Sequence, residues 1–295
     1  MLKKYSGFIR KLPHKVDTAT PESELLLWRS ASKKLECFYA PFDYINYDAK
    51  IIIVGLTPGK TQMNRALNAA RISILRGDSV SETINMVKRE SSFSGKMREK
   101  LVKTLNRTGH HKLLGINCSS DLWSTHNHLV QFCSLLKYPV LSNGQNYNGT
   151  PKLFSKNEKE LKTLIYEEFV KDLHSINPRA LLVPLGDDVG KAISILAKEG
   201  SIPQKFKEIN GKVISLPHPS PANNESIDLL LKEGYLSKKE YENKMYEKYI
   251  REKLKNGENP QHESTYKKAR SSRWESMLLV RKAYGIDKIK QNVDD

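Results

Sequence analysis

The run Ala49–Lys–Ile–Ile–Ile–Val–Gly55 constrains this chain more than any other segment. It is a continuous β-branched stretch, too short for an ordinary helix and without the alternation of a half-exposed strand. Such a run reads as a strand buried on both faces. It enters the turn Leu56–Thr57–Pro58–Gly59, and a helical pattern follows from about Thr61 to Arg76. The unit is therefore strand, loop, helix. Val130–Leu136, Ala180–Leu185 closing at Gly186, and Val213–Leu216 read as further strands, with helical patterns over 156–175 and Val189–Glu199. Alternation of this kind predicts an α/β fold, a three-layer sandwich with a mostly parallel central sheet. Ligands of such sheets sit beyond the carboxyl ends of the strands. The loops at 56–62, 137–150, 186–188 and 217–224 are thus expected to gather on one edge.

The remaining segments frame this unit. Residues 22–38 read as a helix with Pro21 near its start, and 78–108 as basic helices broken at Ser92–Gly95. Leu113–Asn117 reads as a short strand. The Gly-, Asn- and Pro-rich stretch 137–154 reads as a loop. Residues 235–295 differ in kind, being rich in Lys, Glu and Tyr and helical, with a break near Asn256–Pro260. The expected organisation is an α/β domain over 1–234 and a basic helical extension over 235–295.

Composition narrows the partners. The chain of 295 residues carries a formal net charge of +16. Lys and Arg in such excess suit a polyanion, because they release counterions on meeting phosphates. The alternative is a merely soluble basic protein. Cys37, Cys118 and Cys133 stand far apart, without a paired-ligand spacing, so neither a metal site nor a cofactor motif is expected. An odd cysteine count and no secretory leader fit the cytoplasm. No apolar run approaches the roughly 20 residues of a membrane span. Oligomeric state is not legible.

Gly55–Leu–Thr–Pro–Gly–Lys60–Thr61 invites comparison with a phosphate-binding P-loop. That loop needs four residues between its first Gly and the Gly-Lys-[ST] triplet. Only Leu56, Thr57 and Pro58 intervene here, and Pro58 removes an N–H from a loop whose chemistry depends on N–H groups. An NTPase is therefore disfavoured. A plain βα turn is the simpler reading of this segment alone.

A second loop, Leu216–Pro–His218–Pro–Ser220–Pro–Ala–Asn223, surrounds one histidine with prolines and holds it stiffly. Together, the two loops resemble the paired motifs of the uracil-DNA glycosylase superfamily. Val54–Gly55–Leu–Thr57–Pro58–Gly59 resembles its first strand-end turn, and His218–Pro–Ser220–Pro its histidine loop. Phe132–Cys–Ser134–Leu–Leu–Lys137–Tyr–Pro139 is similar to a strand and loop of family members ending T-N-x-x-K-x-x-P. Leu182–Val–Pro–Leu–Gly186 is similar to an apolar strand closing in Gly. These segments lie in order within about 20–230.

The resemblance implies a DNA glycosylase that flips a base from double-stranded DNA and hydrolyses its N-glycosidic bond, leaving an abasic site. His218 matches the histidine near the departing base, where a neutral imidazole can donate as negative charge develops. Ser220, with Asn223 beyond it, is placed to grip the DNA backbone. Gly55, Pro58 and Gly59 shape the approach to the flipped nucleotide. Departures from the family pattern matter equally. Thr57 stands where many members carry an Asp or Asn that positions water, and a hydroxyl is a poor base at neutral pH. Gln62 is a second candidate to position water, with a solvated helix start as its plain alternative. Asp187 and Asp188 suit a helix N-terminus better than catalysis.

Ser134 replaces the family's uracil-reading Asn and cannot make that amide's paired contacts. A modified pyrimidine is therefore the expected substrate, beside Lys137 and a loop containing Asn146 and Tyr147 suited to a sugar-like substituent. The superfamily includes phage-defence glycosylases acting on glucosylated hydroxymethylcytosine, and this chain resembles a candidate for that group. The alternatives are uracil repair and a non-catalytic DNA-binding protein of the same fold.

Overall fold

A computed structural model describes residues 1–16, 23–32, 34–149, 159–234 and 237–286. The molecule is mixed α/β, with one parallel sheet and two antiparallel sheets. An N-terminal helix α1 (Leu2–Lys11) precedes strands β1 (Leu26–Arg29) and β2 (Leu35–Phe38). Strand β3 (Ile51–Gly55) is buried at every residue, as the apolar run requires. It leads into helix α2 (Lys60–Arg76), α3 (Val80–Ser91), α4 (Lys96–Arg107) and the short α5 (His110–Leu113). Strands β4 (Val130–Ser134), β5 (Val140–Ser142) and β6 (Gln145–Asn146) follow. A helix over 159–175 includes a π-helical stretch at Leu164–Val170, after which come β7 (Leu181–Pro184) and α6 (Asp187–Lys198). Strands β8 (Lys205–Phe206), β9 (Glu208–Ile209) and β10 (Lys212–Val213) precede helices α7 (Asn224–Leu231), α8 (Lys238–Lys255) and α9 (Glu263–Ala283).

The parallel sheet has the order β4-β3-β7-β8. Pairs run in register from Ile51↔Val130 to Gly55↔Ser134 and from Ile51↔Leu181 to Val54↔Pro184. Beyond the end of β7, Leu216 bridges Leu185 in parallel and bonds to Pro184 and Gly186. Side chains alternate between two apolar clusters, as the pleat demands. Ile52, Val54 and Leu182 meet Met63 and Leu67 of α2 and Ile193 of α6. Ile51, Ile53 and Val183 meet Leu101 and Leu105 of α4, with Met277 and Val280 of α9. Full burial of each Ile contributes about 1.5–3 kcal/mol, which explains why a five-residue strand can organise the centre.

Four local expectations are corrected. Val213–Leu216 is not a strand of the parallel sheet: Lys212–Val213 pairs antiparallel with β9, Leu216 makes only an isolated bridge to Leu185, and the fourth parallel strand is β8. Described residues of 22–38 form a short 3-10 turn and the β1–β2 hairpin rather than a helix. Ser30 closes it, its amide bonding to the Leu35 carbonyl and its hydroxyl accepting from the Leu35 amide. Pairing of β2 with β5, a partner a hundred residues away, decides the conformation; tertiary pairing outweighs local propensity. The stretch 137–154 is not wholly loop, because 140–146 form a β5–β6 hairpin; its residues from 150 onward lie outside the described set. Asn143 and Gly144 both take positive φ (49° and 72°), the demand of a tight two-residue hairpin turn that this pair meets. Leu113–Asn117 contains no strand; it follows α5 through a turn at Gly115, and Leu113 is largely exposed.

At the C-terminus, Ser237 and Glu240 cap α8 reciprocally. Helix α9 then returns to the body. Buried Arg281 donates to the carbonyls of Leu229, Leu230, Lys232 and Gly234 and so seals the end of α7. Among the described residues, no helix is long and apolar enough to cross a membrane.

Candidate functional site

The ends of β3 and β4 open into a narrow cavity of about 40 Å³, room for only about three waters at roughly 10–15 Å³ each. Gly55, Thr57, Pro58, Gln62, Ser134, Lys137 and His218 all line it. Three separate loops anticipated at the strand ends thus converge there.

His218 is carried by the segment that follows the Leu185–Leu216 bridge. Its Nδ1 accepts the Ser220 backbone N–H at 3.2 Å. An accepting Nδ1 places the neutral ring's proton on Nε2, which becomes the available donor. Burial lowers the imidazole pKa to about 4, so the ring stays neutral at physiological pH. Gly186 packs beside His218, a Cβ there standing in ordinary contact at 3.6 Å from the histidine Cβ, and its φ of 88° is the feature that favours glycine.

Phe93 forms a wall that the sequence reading passed over. It sits between α3 and α4, is 5% exposed, and holds a left-handed φ of 47°. A bulky residue in that region stores strain and persists only where its surroundings enforce it. The enforcement is visible. Arg98 donates to the carbonyls of Arg89, Glu90 and Ser92 and lies over the Trp123 ring, while Trp123 Nε1 donates to the Ser92 carbonyl. The Phe93 ring lies 3.4 Å from where a Cβ on Gly55 would stand, with the Ser134 hydroxyl 3.8 Å from the same point. His218 lies 6.4 Å from Phe93 between ring centroids, and Phe132 lies 6.1 Å away. Phe93 thus packs directly on the end of β3, and Ser134 and His218 line the same cavity. The clue in the sequence was an aromatic set inside a Ser/Gly break between helices.

The other expected residues are engaged as follows. The Thr57 hydroxyl donates to the Tyr138 carbonyl and accepts the Val140 amide, each at 3.1 Å, tying the β3 turn to β5. Gln62 accepts the Gly59 amide at 3.0 Å through Oε1, leaving its amide nitrogen as the group available to the cavity it lines. Asn146 accepts the Lys60 amide and packs on Gly59, capping α2 from across the molecule. Tyr147 is buried in the core, not presented to the cavity. The Ser220 hydroxyl accepts from Asn223, and both flank the histidine loop outside the main cavity. Asp187 and Asp188 occupy the first turn of α6, where carboxylates oppose the helix dipole.

The cavity's other side is charged. Lys137 pairs with Asp172 at 2.9 Å and Glu168 at 3.1 Å. Burial acts to lower this ammonium, but the two carboxylates outweigh it and hold its pKa above the usual value. Lys88 also lines the cavity and is 7% exposed. Burial lowers its pKa to about 8.

One curated relative, an uncharacterized protein, YoxB, of Bacillus subtilis (strain 168), is 31% identical over 195 residues, covering 66% of this chain and 74% of YoxB. No family model and no solved structure matches the chain.

Proposed function

The chain belongs to the family of Bacillus subtilis YoxB, and from its cavity we propose that it is a metal-independent DNA glycosylase of the uracil-DNA glycosylase type. The parallel sheet with an apolar cluster on each face is then the centre of a three-layer sandwich. The observation that carries the reading is His218, held neutral by burial with its Nδ1 occupied by Ser220 and its Nε2–H left to donate beside Phe93 and Ser134. Breaking an N-glycosidic bond places negative charge on the departing base and positive charge on the sugar. A fixed neutral donor gains strength as that oxyanion forms and gives little to the ground state. Phe93 supplies a face for the flipped base to stack on. Gln62 orients the attacking water through its free amide, since Thr57 is engaged with the backbone of β5. The excess of Lys and Arg supports a DNA partner.

The substrate we favour is a modified cytosine, with glucosylated hydroxymethylcytosine of phage DNA as the leading candidate and antiviral defence as the role. Ser134 supports this, because it cannot read uracil's amide edge with paired contacts. A flipped base is larger than the space described, so in this reading the cavity walls move apart as it enters, and the sugar of such a substituent remains at the mouth. Matched duplexes containing uracil, hydroxymethylcytosine or its glucosylated form, incubated in EDTA and heated in alkali, test the reading. Abasic sites in the glucosylated duplex are expected. Cleavage of uracil alone would make the protein a uracil-repair enzyme, and cleavage only with added Mg²⁺ would overturn the mechanism.

A further inference from the structure

Lys88 has a place in the cavity that neither the proposed bond cleavage nor the fold explains. It sits near the C-terminal end of α3, 7% exposed, and lines the same space as His218. Among the described residues its ammonium has no hydrogen-bond or ion-pair partner, and its Nζ lies 5.7 Å from the centroid of the Phe42 ring. The adjacent cation differs: Lys137 is satisfied twice by carboxylates. Burial of this ammonium is costly and is only partly offset by the carboxylates of Asp172 and Asp43, so a chain that served only stability would place an apolar residue there. The three N–H groups of Lys88 are thus available to whatever enters.

The cavity's construction says what they would meet. Phe42 and Phe169 belong to the apolar cluster on one face of the sheet, and Phe93 and Phe132 to the cluster on the other. The cavity bridges these sides across the end of β4, with His218 beside Phe93 and Lys88 beside Phe42. A base that entered against Phe93 would share this cavity with both His218 and Lys88. Gln131, which also lines this side, has its amide committed: Nε2 donates to the Tyr44 and Phe132 carbonyls and Oε1 accepts the Asn46 amide. Asp172 is engaged by Lys137. The unengaged group on this side is a donor and a cation.

We propose that Lys88 is a specificity-determining residue that donates hydrogen bonds to an oxygen on the 5-substituent of a flipped cytosine, most strongly when that oxygen is anionic. This deepens the glycosylase reading and rests on it. A hydroxymethyl oxygen or a carboxylate satisfies the buried cation, whereas a methyl group of similar size leaves it unpaired. The groups facing Lys88 are the Cys133 thiol, Lys137, Asp172 and Asp43, the last held by the hydroxyls of Tyr39 and Tyr138. Cys133 has its thiol pushed up to about 12 by burial and stays neutral, so Lys88 itself is the group that changes charge at mildly alkaline pH.

Binding separates this inference from catalysis. Duplexes that differ at one position, bearing 5-methyl-, 5-hydroxymethyl- or 5-carboxylcytosine on a 2′-fluoro sugar that resists cleavage, are titrated in EDTA against the whole protein and Lys88→Met. The wild-type protein should prefer carboxyl over methyl by about 10- to 100-fold, with hydroxymethyl between. Lys88→Met should lose that preference, bind the methyl duplex at least as tightly as the wild-type protein, and unfold at the same or a higher temperature. A preference that survives in Lys88→Met, or a wild-type protein with none, overturns the assignment. Cleavable duplexes run in parallel keep the two claims apart. Discrimination without abasic sites would remove the glycosylase reading and leave Lys88, and abasic sites without discrimination would do the reverse.

Discussion

The two sides of the cavity obey opposite rules. Around His218 the groups are neutral and aromatic, and the imidazole is desolvated until its charge is lost. Around Lys88 they are ionic, and burial has lowered the ammonium to about 8 without removing its charge at neutral pH. The difference follows from what each side would meet. Charge that appears only in a transition state is best met by a fixed dipole, which does not overbind the ground state. A substituent present from the start is best distinguished by a strong, obligatory contact. In the proposed reading, one side would serve rate and the other identity.

The contrast breaks most readily at His218. His218→Ala should reduce base release by roughly 10²–10³-fold with DNA affinity little changed, since it removes one preorganised donor. Single-turnover release and equilibrium binding on the same duplex separate the two effects. An equal loss in both would make His218 a binding residue. Phe93→Ala should act on affinity for the flipped base, weakening it by about 10- to 100-fold, because a stacking face is worth about 1–3 kcal/mol. Loss of binding to an unmodified duplex as well would assign Phe93 to the DNA backbone instead.

The pH response sharpens the comparison. With His218 depressed to about 4, base release should stay level from pH 5 to 7.5, and a step near 6.5 would contradict a buried neutral ring. Stability carries the same signature. His218 and His110 are both lowered by burial to about 4 from 6.5, so the unfolded chain binds more protons than the folded one between those values. Stability is therefore full above pH 6.5 and lost as pH falls towards 4, by up to about 3 kcal/mol for each histidine. Urea unfolding of the wild-type protein and His218→Gln between pH 7 and 4.5 reads the histidine's share. On the Lys88 side, preference for an anionic substituent should fade above pH 8, where rate is unaffected.

Thr57→Val should give the smallest change. It breaks the two bonds that pin the β3 turn to β5 and should cost about 1–3 kcal/mol of stability, with base release reduced less than tenfold. A loss as large as that of His218→Ala would return the water-positioning role to Thr57.

Strands β3 and β7 were legible because they are buried along nearly their whole length and so spell themselves out as apolar runs, whereas the edge strand β8, two residues with an exposed Lys205, left no such run. The convergence of Gly55, Ser134 and His218 followed from the rule that strand ends gather loops. The antiparallel sheet was less accessible. Leu26–Phe38 satisfies a helical pattern locally, and only the distant β5 makes it a strand, yet Asn143–Gly144 was a hairpin signal open to reading. Lys88 was hidden for a different reason. On a basic helix one lysine looks like any other, and nothing local marks the one turned inward beneath Phe42. Residues 263–283 were read as part of an extension, but Met277 and Val280 lie in the core beside α4. A change of surface charge, not deletion of that segment, is the suitable probe of whether it touches DNA.

The central claim is that a neutral His218 donor drives hydrolysis of a base–sugar bond. Its most direct measurement is single-turnover release of free base, in EDTA, from a glucosylated-hydroxymethylcytosine duplex by the wild-type protein and by His218→Ala. The account predicts free modified base and an equal yield of abasic sites with the wild-type protein, and release slower by two to three orders of magnitude with the variant. Release at the same rate by both, or none by the wild-type protein from any modified or uracil duplex, would contradict it.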